Sequence, residues 1–203
     1  MDKSSLLKSI AIKGYDVGFG AKKHFATFDL ACKAPNLIAI LTLTAGVIQL
    51  GFDIPLTLNK SLSVVLISIG IISIFLNYYG DEKRKEYSEA GVEITNIYQS
   101  LRDLYYSVQG TEDRTQLSAL EEEYKELVER FNNIGITQQM MFSDWYAHYK
   151  FFVQLETDWI EEQRPFRFKD KVPLLIRWGI YFLSLCVALS IIIGLIILSN
   201  KGL

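Results

Sequence analysis

The chain has 203 residues, of which 50% are hydrophobic and 22% are charged, and its formal net charge is −2. These averages are close to those of soluble proteins, and the high apolar and aromatic content excludes intrinsic disorder. The charges, however, are unevenly placed: three uncharged runs of 19, 20 and 23 residues alternate with charged segments, which excludes one ordinary soluble globule.

Residues 1–35 are predicted to form a cytoplasmic, partly amphipathic leader with a net charge of +3. The apolar residues at helical spacing are Leu6, Leu7 and Ile10. Gly14, Gly18 and Gly20 indicate either a break in this helix or a close approach to another backbone. The aromatic residues of the leader suit either the lipid headgroup layer or packing against a cytoplasmic bundle.

The segment 36–80 is predicted to be a transmembrane hairpin with spans at 36–52 and 61–79. A bilayer core needs roughly 20 apolar residues of helix. The alternative is a pair of buried helices in a soluble protein, but such helices are amphipathic and these runs are apolar all round. The short connection at 51–60 favours antiparallel spans, and Pro35 suits the entry of the first.

Small and polar residues recur on one face of each span, where helices contact one another in lipid. The candidate contact residues are Thr42, Gly46 and Gln49 in the first span and Gly70, Ser73 and Asn77 in the second. The Gln49 and Asn77 amides are costly in hydrocarbon unless they are hydrogen-bonded. They therefore indicate either packing within a bundle or the lining of a pore in an oligomer. An ion-coupled transporter is disfavoured, since the middle of each span carries no acidic or basic residue.

The cytoplasmic region 81–173 holds nineteen acidic and twelve basic residues, a net charge of −7. Apolar stripes predict three helices: one ending at Gly110, one ending near 132–135, and one from about 137 to 162. They form a helical hairpin or bundle. Its acidic charge disfavours nucleic-acid binding and suits a basic partner protein or the chain's own leader.

The most hydrophobic run predicts a third transmembrane helix within 174–199, followed by an external tail at 200–203. The candidate helix-packing residues of this span are Cys186, Ser190 and Gly194, which are spaced four apart.

Basic residues set the predicted orientation, because cytoplasmic loops of membrane proteins are enriched in lysine and arginine. Three lysines precede the first span, three basic residues follow the second, and five lie before or at the edge of the third. The opposite side holds only Lys60 and Lys201. The N-terminus and the region 81–173 are therefore expected in the cytoplasm.

The sequence indicates no enzyme: it shows no catalytic, cofactor-binding or metal-binding motif. Asp144 and His148 share a helix face four residues apart, which is more typical of a surface hydrogen bond than of a catalytic pair. Together these features predict an all-α integral membrane protein. Its parts are an N-terminal helix, a two-span transmembrane hairpin, a cytoplasmic helical hairpin or bundle, and a third, C-terminal transmembrane helix.

The order of these parts resembles the SLATT family, two-transmembrane effectors of bacterial anti-phage defence systems. The resemblance rests on Gly-Tyr-Asp at 14–16, Phe-Gly-Ala-Lys-Lys-His-Phe at 19–25 and Asp-Leu at 29–30, followed by the hairpin and the acidic segment. It covers roughly residues 5–110. The additional C-terminal span is similar to the subgroup linked to reverse transcriptases, including retrons.

The resemblance implies an effector of the bacterial inner membrane that oligomerises and permeabilises the membrane when a sensor partner releases it, which causes abortive infection. The implied partners are membrane lipid, further copies of the chain, and a reverse transcriptase (retron) complex or a nucleotide-signalling sensor. The alternative is a non-conducting membrane scaffold that recruits a cytoplasmic partner through the helical bundle.

Overall fold

The computed structural model describes residues 1–77, 80–134, 136, 138–173, 177–179, 181–182 and 184, without the side chains of Phe75 and Asn77. Within these residues all regular structure is helical. The helices are α1 Lys3–Gly51, α2 Leu56–Asn77, α3 Asp81–Gly110, α4 Arg114–Asn133, α5 Ser143–Gln154, α6 Asp158–Glu161 and α7 Phe168–Lys171. Residues 1–164 form one compact unit and residues 165–203 belong to a second.

The leader and the first span form one continuous helix, α1, of 49 residues. Asp2 caps its start by accepting a hydrogen bond from the Ser5 backbone N–H at 2.8 Å. Pro35 lies inside α1, so the prediction that it marks a helix entry was wrong. Proline removes one backbone hydrogen bond, but the helix continues because the turns before Pro35 pack in the helical bundle and those after it pack on α2.

The leader glycines also lie inside α1, and two of them are sites of close approach rather than breaks. A Cβ at Gly14 would lie 2.1 Å from the Trp159 ring, and one at Gly18 would lie 2.8 Å from Tyr98. Only glycine lets these aromatic rings reach the helix backbone. The aromatic residues of the leader likewise pack in the bundle: the Tyr15 and Phe151 ring centroids are 5.2 Å apart.

The two spans are apolar helices of transmembrane length, covering the end of α1 and Leu56–Ile74 of α2. None of the side chains of residues 36–51 and 56–74 is buried, and about two thirds are exposed, including Leu43 at 72% and Ile74 at 71%. The core helix of a soluble protein would be buried instead, so this exposure fits helices that face lipid.

The helical bundle packs the first thirty residues of α1 against α3, with α5 and α6 beside them. Helix α3 runs antiparallel to α1: a Cβ at Gly91 would meet the Phe25 ring at 3.1 Å, and Lys3 pairs with Glu112 near the other end at 2.8 Å. Trp159 is fully buried at the centre. Helix α3 ends at Gly110, as the sequence predicts.

The predicted helix from about 137 to 162 is two shorter helices, so that prediction was wrong. Residues 155–157 separate α5 from α6. There the Tyr98 hydroxyl donates a hydrogen bond to the Glu156 carbonyl, and Arg102 pairs with the Glu156 carboxylate at 3.2 Å. Burial raises the pKa of Tyr98 to about 12, so Tyr98 stays a protonated donor. A continuous helix would need that carbonyl for its own backbone.

Candidate functional site: the groove between the two spans

An open apolar groove of about 590 Å³ runs along one side of the span hairpin. Helix α1 contributes Ile38, Ala39, Thr42, Leu43, Gly46, Val47 and Leu50, and α2 contributes Gly70, Ser73 and Ile74. Four of the six candidate residues of the hairpin therefore lie together in this groove. They meet because the short connection aligns the two small-residue faces.

The glycines of the groove leave space that no part of the described chain fills. A Cβ added at Gly46 or at Gly70 would meet no atom within 4 Å. This contrasts with Gly14 and Gly18 in the bundle, where a Cβ would collide with aromatic rings. In lipid, an open surface of small residues allows close approach of another helix.

The groove also holds a polar group in need of a partner. Among the described residues, the Thr42 hydroxyl oxygen is shielded from solvent and has no hydrogen-bond partner. Such a hydroxyl is costly in hydrocarbon until a donor or acceptor reaches it. Ser73, on α2, lines the same groove. The lining of the groove therefore contains polar residues from both spans as well as small ones.

Gln49 lies at the connecting end of the hairpin and outside the groove lining. Its side-chain nitrogen lies 2.7 Å from the Asn59 side-chain oxygen and 3.2 Å from the Ser63 hydroxyl oxygen. The Gln49 amide is thus hydrogen-bonded within the chain itself. Asn59 is not among the residues predicted from the sequence. The signal available was a polar residue one helical turn after Pro55, opposite the last turn of α1.

Four candidate residues cannot be placed. The side chain of Asn77, together with Cys186, Ser190 and Gly194 of the third span, lies outside the described residues. The third span itself therefore stays a prediction.

A buried ion pair ties α1 to the bundle one and a half turns before Pro35. Lys150 of α5 pairs with Asp29, and both side chains are at most 15% exposed. Burial acts to raise the pKa of Asp29, but hydrogen bonds from Lys150 and Lys33 outweigh it and hold this pKa below its ordinary value. No local sequence pattern indicates this pair, because 121 residues separate its members.

Asp144 does not pair with His148 in the arrangement that the spacing suggested. It forms an ion pair with Lys23 of α1 at 2.7 Å. The His148 ring packs on Phe152, with centroids 4.7 Å apart. Basic residues of the leader thus meet acidic residues of the bundle, which was one of the two roles expected for the acidic charge.

No curated protein and no solved structure matches the chain. The model of one protein family does: it is described as the SMODS and SLOG-associating 2TM effector domain 6, and it matches residues 1–180. This is a two-transmembrane effector domain associated with defence systems, in agreement with the two apolar helices and their membrane localisation. The chain belongs to the SMODS and SLOG-associating 2TM effector domain 6 family.

Proposed function

We propose that the chain is a non-enzymatic effector that assembles with copies of itself and permeabilises the bacterial inner membrane. The N-terminus and the helical bundle face the cytoplasm, and a sensor partner holds the effector inactive until infection releases it. That partner is a reverse transcriptase (retron) complex or a nucleotide-signalling sensor. The outcome is abortive infection.

The observation that carries this proposal is the open groove between the spans. It brings the small residues Gly46 and Gly70 and the polar residues Thr42 and Ser73 together in one open groove between the spans. No described residue fills the space beside Gly46 and Gly70, and a helix of a second copy would fill it. The uncharged lining suits an assembly whose pore opens by wetting of a hydrophobic constriction.

The continuous helix α1 connects the bundle directly to the groove, so a movement of the bundle can be transmitted to the groove. Its first part is buried against α3 and α5, and its last part carries Thr42 and Gly46. Pro35 lies between the two parts, where the missing backbone hydrogen bond lets them bend relative to each other. A partner that shifts the bundle therefore reorients the part of α1 that lines the groove. Partner binding can in this way favour one of two orientations of that part over the other.

The first test is induced expression of Gly46→Leu in cells, compared with wild type. A Cβ at Gly46 meets no atom within 4 Å, so the leucine side chain enters the open groove, and we expect an inserted protein that no longer oligomerises. Wild type should collapse the membrane potential and admit propidium-type dye, whereas Gly46→Leu should lose both effects by about tenfold or more, the loss expected when roughly 1.4 kcal/mol of association is removed.

Thr44→Leu is the matched control, because Thr44 is exposed, lies two residues away on α1 and does not line the groove. It should keep full activity. Depolarisation by Gly46→Leu equal to that of wild type would contradict assembly through the groove. An intact potential in cells expressing active wild-type chain without its partner would contradict permeabilisation altogether.

The second candidate is a non-conducting scaffold, favoured by the surface of α4. In this helix, described in full, Leu127 alone is buried, and Glu122, Glu123, Glu126 and Glu129 are exposed. Such a face suits a basic partner. Reversing the charge of Glu122 and Glu126 to lysine distinguishes the two candidates. A scaffold loses partner recruitment and has no effect on potential, whereas a pore expressed without its partner still depolarises the membrane.

A further inference from the structure

A second apolar cavity, of about 620 Å³, lies where the bundle meets the spans. Leu30 and Ala34 of α1 and Ile72 and Leu76 of α2 form two of its walls. The third wall is formed by Met140, Met141 and Phe142, in the segment before α5 that we name the 138–142 loop. A part of the cytoplasmic region thus lies directly against the membrane-spanning helices.

The position of this cavity along the spans places it at the depth of the leaflet. Ile72 lies five residues, or about 8 Å of helix, before the end of α2 at Asn77, and Asp81 is the first charged residue after the span. On α1 the wall residues Leu30 and Ala34 flank Lys33, which is 71% exposed. The cavity therefore extends from the level of a charged headgroup to the level of acyl chains.

The tip of the loop presents apolar side chains outward. Met141 is 75% exposed and Phe142 is 60% exposed. Trp145 and Tyr149 continue this surface along α5, and both are also exposed. Aromatic side chains of this kind are enriched where proteins cross the boundary between lipid and water. In water the same surface would be an unfavourable apolar patch.

The loop is fixed in this position by hydrogen bonds at its base. Tyr87 donates to the Gln138 carbonyl, and Thr27 donates to the Gln139 side-chain oxygen at 2.6 Å. Met140 is buried between them, at 6% exposure. The exposure of Met141 and Phe142 is therefore a property of an anchored loop.

We propose that the 138–142 loop is embedded in the leaflet on the bundle side of the membrane, and that an acyl chain of a bilayer phospholipid fills the cavity. The loop, like the spans, is then part of the lipid-facing surface, and the bundle is held at a fixed height above the membrane. This inference requires that the spans cross the bilayer, and it is independent of pore formation and of orientation.

The test uses the full-length chain in phosphatidylcholine and phosphatidylglycerol vesicles, with Cys32 and Cys186 changed to serine. A polarity-sensitive fluorophore is attached at Met141→Cys and, separately, at Tyr149→Cys. Ser118→Cys is the matched control, because Ser118 is exposed on α4 near Lys3, about 40 Å along α1 from the cavity. The quenchers are phosphatidylcholine with a nitroxide on its acyl chain, and aqueous iodide.

We expect acyl-chain nitroxide to quench the Met141 label about twofold more than the Ser118 label, and iodide to show the opposite order. Tyr149 should be intermediate. Equal lipid quenching at Met141 and Ser118, with iodide reaching both, would place the loop in water and overturn the proposal. Protection of the Met141 label from both quenchers, together with cross-linking between copies, would assign the surface to a second chain and overturn it as well.

Introducing Gly46→Leu separates this inference from the proposed function. Membrane insertion of the loop predicts that the Met141 quenching stays as in wild type when assembly is lost. If the quenching instead disappears with Gly46→Leu, the lipid contact depends on assembly, and the inference for the single chain is wrong.

Discussion

Gly14 lies against the ring of Trp159. Among the described residues, Trp159 has the largest side chain that is fully buried. The indole also contacts Tyr98 and Tyr105, with ring centroids 5.5 Å and 5.4 Å away. Its N–H donates to the Tyr98 hydroxyl at 3.1 Å, so the ring is held on its polar edge as well. The backbone of α1 and this ring therefore fit together with no room for a methyl group.

Gly14→Ala is expected to lower the free energy of unfolding of the bundle by about 1–3 kcal/mol, the usual cost of overpacking a core. Gly20→Ala, in the same helix, is the matched control. Its Cβ would lie 3.4 Å from the flexible end of Phe131, and alanine favours the helix by up to about 1 kcal/mol. Denaturant titration of the full chain in detergent, followed by helicity, measures both. Equal shifts for the two variants would contradict the assigned role of Trp159.

Some residues of the groove and of the bundle differ in how visible they are in the sequence. Thr42, Gly46, Gly70 and Ser73 were found because a small or polar residue in an apolar run has few explanations in lipid. Asp29 and Lys150 were missed, since an acidic and a basic residue in charged segments are ordinary there. Only the packing of α5 on α1 makes them a buried pair.

At the scale of the element, α1 is the unexpected part of the molecule. A helix of 49 residues is about 73 Å long. The sequence of its first part suits water and that of its last part suits lipid. Its hydrophobic pattern changes near Pro35, from one buried face in the bundle to an apolar surface all round. The change of pattern, together with the proline, indicated two elements, but the backbone runs through both.

Replacement of Pro35 by alanine is expected to stiffen α1, because the new N–H can bond the Ala31 carbonyl. Spin labels at Ser4→Cys and Thr44→Cys, in the cysteine-free chain, are separated by roughly 60 Å of helix. Pulsed dipolar spectroscopy should show a narrower distance distribution in Pro35→Ala than in wild type. Pro55→Ala, which lies outside the labelled interval, should leave the width unchanged. Equal widths in all three chains would rule out a hinge at Pro35.

At the scale of the whole molecule, the ordinary mean composition conceals a chain divided between lipid and water. The leader has a net charge of +3 and the region 81–173 a net charge of −7. Side chains of the two segments form ion pairs such as that between Lys23 and Asp144. The leader is therefore a structural part of the bundle as well as the beginning of the first span.

The orientation of this molecule is tested with single cysteines in the chain that lacks Cys32 and Cys186. Asp53→Cys reports on the loop between the spans and Ser118→Cys on the bundle; both positions are exposed. Because basic residues border the bundle side of the spans, a membrane-impermeant maleimide should label Asp53→Cys in intact spheroplasts and Ser118→Cys only after lysis. The reverse pattern would place the bundle outside the cytoplasm.

The sequence by itself determined the spans, the hairpin between them and the ends of α3 and α4. These features depend on local composition, because lipid and water each select residues within a few helical turns. The tertiary structure decided that α1 is continuous, that residues 155–157 interrupt a helix and that the 138–142 loop reaches the spans. Each of these depends on contacts such as Tyr98 with Glu156 or Thr27 with Gln139, between residues far apart in the chain. Such contacts leave no periodic pattern, so the sequence alone does not reveal them.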